Sequence, residues 1–251
     1  FIHAVEGAHS LHGKTGADSE ILENLERFHE RGAAYITLAH FYPNKIVNPT
    51  FPYPDYVLER VPDSREKYVW RDLTLGLTKL GEKVVERMMN LGMMIDVSHC
   101  TPVARQQVYE IAGEREYSVA ATHVGAYAIK PSAYNLEDWE IEWIARHKGV
   151  VGVILMNYWL MPNETKLGLD FVSRTIEHLI SVGGAEVAAL GTDFDGFTDP
   201  PDEVSNAAEL PRLTQRLLAE RSSESGGKYQ PEAIRGFLGA NALNMLLNGW
   251  R

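Results

Sequence analysis

The sequence predicts an α/β fold of the (β/α)8, TIM-type barrel class, and three observations carry that expectation. Short β-rich apolar runs alternate with amphipathic stretches of helical period, the order of a parallel sheet covered by helices. Five helical stretches stop at a glycine, the residue that most readily takes the left-handed C-cap. The apolar runs finish on Glu6, His40, His99, His123, Asn157 and Asp193, so all but Asn157 end in a group able to bind a metal or move a proton. In such barrels the chemistry is built at the carboxyl ends of the strands.

Taken in order, residues 2–6 read as a strand closing on Glu6, and residues 19–31 as a helix stopped by Gly32. A strand over 35–40 closes on His40. The Pro- and Tyr-rich stretch 41–75 is too long for a plain connection and is expected to be a lid or binding loop. Helix 77–91 stops at Gly92, strand 93–99 (MMIDVSH over 93–99, within MMIDVSHC) closes on His99, and helix 101–112 stops at Gly113. Strand 118–123 closes on His123, helix 136–148 stops at Gly149, strand 150–157 closes on Asn157, and helix 169–182 stops at Gly183. Strand 187–193 closes on Asp193 within GTDFDG. A second long loop, 197–210, carries TDPPDE, and a last helix over 231–247 has proline in its first turn. Six strands, a start inside a strand at Phe1 and no initiator methionine give the expectation of a single catalytic barrel domain, 1–251, truncated at its amino end and lacking about the first two strands of a barrel.

Composition limits the partners. The 251 residues carry a formal net charge of −10, which leaves no basic footprint for nucleic acid or an anionic membrane. A small-molecule substrate suits this balance better. The longest apolar stretch, GVVGVILMNYWLM over 149–161, is broken by Asn157 and too short to span a bilayer. The single cysteine, Cys100, excludes an internal disulfide and favours a reducing, cytoplasmic compartment. Assembly as a homodimer is left open.

Imidazoles and carboxylates at adjacent strand ends form an N/O donor set suited to zinc, and one carboxylate can bridge two ions. Two such ions clamp and deprotonate a water between them. Asp193 is then placed to bind metal and take that water's proton. One histidine ending a strand is more often a hydrogen-bonded core residue; three of them with Glu6 and Asp193 at successive ends favour a site. His29, His147 and His178 fall on helices and are expected to be solvated. His9 and His12 follow Glu6 and suit an orienting role. Asp195 suits a supporting role beside Asp193, Asp96 reads as a structural hydrogen bonder, and Cys100 as a small buried residue.

The segment GLTKLGEKVVERMMNLGMMIDVSH, 76–99, resembles the signature of the membrane (renal) dipeptidase family, the zinc dipeptidases of the amidohydrolase superfamily. VEGAHSL at 5–11, YITLAHFYPN at 35–44, ATH at 121–123 and GTDFDG at 191–196 extend the resemblance along the chain in the same order. It implies metal-dependent hydrolysis of dipeptides on a metal-dependent-hydrolase barrel with two zinc ions. By position it implies Glu6 as the bridging carboxylate, His99 and His123 as the imidazoles of the second zinc, and Asp193 as the aspartate near the first zinc and its hydroxide. It also implies His40 as the histidine facing the scissile carbonyl. Two departures stand out. The family's His-x-Asp pair for the first zinc is absent upstream of Glu6, where only His3 stands. At PSAYNLED, 131–138, the family's usual His-Pro-Arg-Asn is replaced, so that Tyr134 stands for the carboxylate-binding arginine, followed by the expected Asn135. A tyrosine offers one neutral hydrogen bond where an arginine offers a bidentate ionic clamp; Lys130 is the nearby cation. The alternatives to a dipeptidase are a catalytically inactive relative that binds a peptide, and an amidohydrolase acting on another small amide or lactone.

Overall fold

Strand and helix alternate in the computed structural model, which describes residues 2–41, 44–50, 72–160, 168–197, 199–221 and 229–250. In chain order the elements are β1 (His3–Glu6), a 3-10 turn at Ala8–Leu11, α1 (Asp18–Glu30), β2 (Ala33–Thr37), α2 (Lys79–Leu91), β3 (Met94–Asp96), α3 (Pro102–Gly113) and β4 (Val119–Val124). There follow α4 (Asp138–Arg146), β5 (Val151–Val153), α5 (Asn157–Leu160), α6 (Leu169–Gly183), β6 (Ala188–Leu190), a 3-10 turn at Ala207–Glu209, α7 (Leu210–Arg221), α8 (Pro231–Arg235) and α9 (Asn241–Gly249). Most of the 41–75 loop lies outside the described residues.

The chain divides into two compact units, residues 1–119 with 249–251 and residues 120–248. In the first, β1 pairs in parallel with β2 and β2 with β3. Ile36 and Ile95 are adjacent in register and fully buried, and Val84, Val85 and Met88 of α2 are buried with them. The sequence starts α2 with Thr78, whose hydroxyl accepts from the Gly81 amide at 3.0 Å, and ends it with Gly92 in the left-handed conformation at φ 72°. Thr101 caps α3 in the same way, accepting from the Ala104 amide at 3.2 Å.

In the second unit β4, β5 and β6 pair in parallel in that order. Two glycines set their spacing. A Cβ at Gly152 would fall 1.9 Å from the Thr122 carbonyl oxygen, and one at Gly191 would fall 1.8 Å from the same atom. No other residue permits that approach. The core here is aliphatic: Ala121, Val151, Val153, Val172 and Leu179 are fully buried.

The strands are shorter than the apolar runs that predict them. β2 ends at Thr37, β3 at Asp96 and β6 at Leu190, so His40, His99 and Asp193 each lie three residues past a strand. Asn157 is no strand end; it opens the short helix α5. The final helix is broken: a π turn at Gly236–Ala240, with Gly239 at φ 152°, separates α8 from α9. Helix α7, not predicted, follows the second long loop.

Candidate functional site

In the first unit three predicted residues come together. Glu6 closes β1, and the parallel ladder continues past it: the Gly7 amide donates to the Thr37 carbonyl at 3.0 Å and the Ala8 amide to Leu38 at 3.3 Å. Leu38 in turn donates to the Asp96 carbonyl at 3.2 Å. This extension carries the chain, fully buried through Leu38 and Ala39, to His40. Asp96 fixes the next corner. Its Oδ2 accepts from Thr37 Oγ1 at 2.6 Å, and its Oδ1 accepts from the Ser98 amide at 3.0 Å and from Ser98 Oγ at 2.8 Å. It is the structural hydrogen bonder the sequence suggests.

His99 follows that corner at φ 66°, a conformation L side chains rarely adopt. The Thr50 amide donates to the His99 carbonyl at 2.6 Å. The Cys100 carbonyl accepts from Thr50 Oγ1 and from Arg105 Nη1, both at 3.0 Å. The strained residue is thus held from both sides, and its imidazole is aimed at Glu6.

His99 Nε2 lies 3.2 Å from Glu6 Oε1 and His40 Nε2 lies 3.7 Å from Glu6 Oε2, so two imidazoles converge on the two oxygens of one carboxylate. Their rings meet edge to face, 4.8 Å between centroids. Burial, reinforced by neighbouring His40 and opposed by Asp96, pushes His99 down to about 3. Burial also lowers His40, with Glu6 opposing and His9 adding to the shift. Both rings are therefore neutral near pH 7, the form in which an imidazole nitrogen has a lone pair to give. The Phe41 ring stacks on His40 at 3.9 Å and stands edge-on to His99 at 5.8 Å. Nothing in the sequence beyond adjacency to His40 marks Phe41 for this place. The His9 ring lies parallel to His40 at 6.3 Å, packed over Gly7, and His12 Nε2 accepts from the Lys45 amide at 3.2 Å.

In the second unit His123 is the penultimate residue of β4, buried, with Nδ1 2.9 Å from Thr122 Oγ1. Asp193 sits in a turn built from GTDFDG. Gly191 donates to the Val153 carbonyl at 3.1 Å, Leu155 donates to the Thr192 carbonyl at 3.4 Å, and Gly196 donates to the Asp193 carbonyl at 3.0 Å. Asp193 and Asp195 are both left-handed, at φ 53° and 70°. A Cβ on Gly196 would lie 2.3 Å from Asp193 Oδ1, so the glycine makes room for the carboxylate.

Tyr134 and Asn135 differ in character. Tyr134 is buried with its ring against Trp159, centroids 3.5 Å apart. Asn135 Oδ1 accepts from the Gly125 amide at 2.8 Å, and Nδ2 donates to the Lys130 carbonyl at 2.9 Å and the Trp159 carbonyl at 2.8 Å. Both amide hydrogens of Asn135 are committed to the backbone. Two helical histidines depart from expectation. His147 is buried and stacked on Trp143 at 3.8 Å, and His178 is half-buried with Nε2 2.7 Å from Asp138 Oδ1.

The family described as Membrane dipeptidase (Peptidase family M19) matches residues 1–248. An uncharacterized Klebsiella pneumoniae protein from the pqqA 5′ region is 35% identical over 179 residues, covering 70% of this chain and 62% of that protein. An uncharacterized dipeptidase of Schizosaccharomyces pombe is 26% identical, covering 96% of this chain and 51% of that one. The chain thus spans between half and two thirds of the length of these relatives. A Rhodobacter sphaeroides metallopeptidase, solved with a phosphinate mimic of the dipeptide L-Ala-D-Ala, superposes with a TM-score of 0.78 at 24% identity, over 99% of this chain and 63% of that one. At that identity the likeness speaks for the fold alone.

Proposed function

Because the chain belongs to the membrane dipeptidase family, peptidase family M19, we propose that it forms the larger part of a metal-dependent dipeptidase. The observation that carries this reading is the pair of neutral imidazoles, His40 and His99, converging on the Glu6 carboxylate. A carboxylate and a buried imidazole whose lone pair burial keeps free are a donor set that suits zinc. Glu6, His99 and His123 each offer one donor atom and are assigned to one ion. Asp193 is assigned beside a second ion; the family's His-x-Asp pair for that ion does not stand ahead of Glu6 in these residues.

When bound, zinc supplies a Lewis acid and lowers the pKa of water. The Asp193 carboxylate accepts the proton of the attacking water and returns it to the leaving amine. His40, neutral, donates a hydrogen bond to the scissile carbonyl oxygen as negative charge develops there. Tyr134 and Asn135 are assigned to the carboxyl-terminal side of the substrate. Asn135 acts by holding its loop, since both its amide hydrogens are engaged.

The test uses the full-length protein loaded with zinc and assayed on dipeptides, starting with L-Ala-D-Ala, whose mimic the Rhodobacter structure holds. His99→Ala is expected to lose zinc from one position, measured by elemental analysis. Asp193→Asn is expected to stay folded and lose about 10²- to 10⁴-fold in turnover, the usual worth of a general base. A zinc-loaded wild type inert towards every dipeptide would replace this reading with that of a peptide-binding relative.

A further inference from the structure

The ring assigned to the scissile carbonyl is held unusually. His40 makes no hydrogen bond to a described residue; its polar neighbour is Glu6 Oε2 at 3.7 Å, beyond hydrogen-bond range. Its backbone is fixed by the buried run Leu38–Ala39, but rotation of the imidazole about its own side-chain bonds is not fixed by any polar partner. What surrounds the ring is aromatic. Phe41 lies over one face at 3.9 Å with 29° between planes, His99 meets it edge-on at 4.8 Å, and His9 lies further off at 6.3 Å.

From this packing we propose that Phe41 is a positioning residue: its stacked ring fixes the plane of the His40 imidazole and so the direction in which Nε2 points. The same phenyl edge meets His99 at 5.8 Å, so one side chain braces both imidazoles that face Glu6. Stacking suits the task because it penalises ring rotation without withdrawing either nitrogen from use. A hydrogen-bonded partner would instead occupy Nδ1 or Nε2. The catalytic consequence rests on the dipeptidase reading; the stacking itself does not.

The experiment separates the two. Full-length wild type, Phe41→Leu, Phe41→Ala and Phe41→Tyr are compared by NMR, following the His40 ring protons identified by their loss in His40→Gln, and by turnover of the best dipeptide in the zinc-loaded protein. A ring at 3.9 Å shifts those protons upfield, so both aliphatic variants are expected to move them downfield and Phe41→Tyr to return them. The aliphatic variants are further expected to lose about tenfold in kcat with KM little changed, since a small misplacement of a reacting group is costly. Phe41→Tyr should recover most of that loss. His40 resonances unchanged in Phe41→Leu would overturn the proposal, as would resonances that move while kcat holds. A wild type with no turnover would remove the dipeptidase reading, and the resonances alone would still decide whether Phe41 stacks on the ring.

Discussion

At the scale of single residues, the side chains able to bind metal or move a proton are legible and their surroundings are not. Glu6, His40, His99, His123 and Asp193 stand out because each closes or follows an apolar run, and the sequence shows that directly. His147 is misread as solvated because its residue type is polar. Its position continues the buried Glu140, Ile144 face of α4 by one more turn, so helical period was the better guide. On the dipeptidase reading proposed above, Tyr134 bears on specificity. A tyrosine in place of an arginine provides at most a neutral hydrogen bond, worth about 0.5–1.5 kcal/mol. The full-length enzyme is therefore expected to prefer a free dipeptide over its carboxyl-amidated form by about tenfold or less in kcat/KM. Paired kinetics on the two substrates measure this. A preference of several hundredfold that collapses in Lys130→Ala would give the clamp to Lys130.

At the scale of elements, the type and order of the helices and strands were readable, while strand ends were overrun. Leu38, Ala39, Ile154 and Leu155 are fully buried yet lie outside any strand, so an apolar run records burial and runs on past the regular strand. Helix α7 carries its signal at Leu213 and Leu217, both buried, but the proline-rich stretch before it hid the start. The close approach of β4, β5 and β6 rests on glycine, and a substitution tests it. Gly191→Ala places a Cβ 1.8 Å from the Thr122 carbonyl, a backbone atom with little room to yield. The expected cost is about 3 kcal/mol, or failure to fold, read by urea denaturation. A loss below about 0.5 kcal/mol would mean that the strands are further apart than described.

At the scale of the whole molecule, alternating order and chemistry at strand ends point to an α/β barrel, and the likeness to the Rhodobacter enzyme agrees over 99% of the chain. Residue type and order determine that much. They say less about residues 41–75, a long stretch whose sequence carries neither helical nor strand periodicity. Metal binding should be felt globally. With free zinc about a hundredfold above its Kd, binding to the native state alone adds about 2.7 kcal/mol. For a chain of this size that raises Tm by about 5–10 °C. Calorimetry with and without zinc checks it, and His99→Ala should show a smaller rise; an unchanged wild-type Tm would count against zinc as the native ion. The left-handed backbone at His99 and Asp193 has a bearing on how such a chain drifts under selection. Glycine is the residue the backbone prefers at both positions, and it is also the residue that erases an imidazole or a carboxylate. A population selected only for the heat resistance of the metal-free chain would be drawn towards losing those groups, and a requirement for metal binding or turnover would hold the two side chains in place.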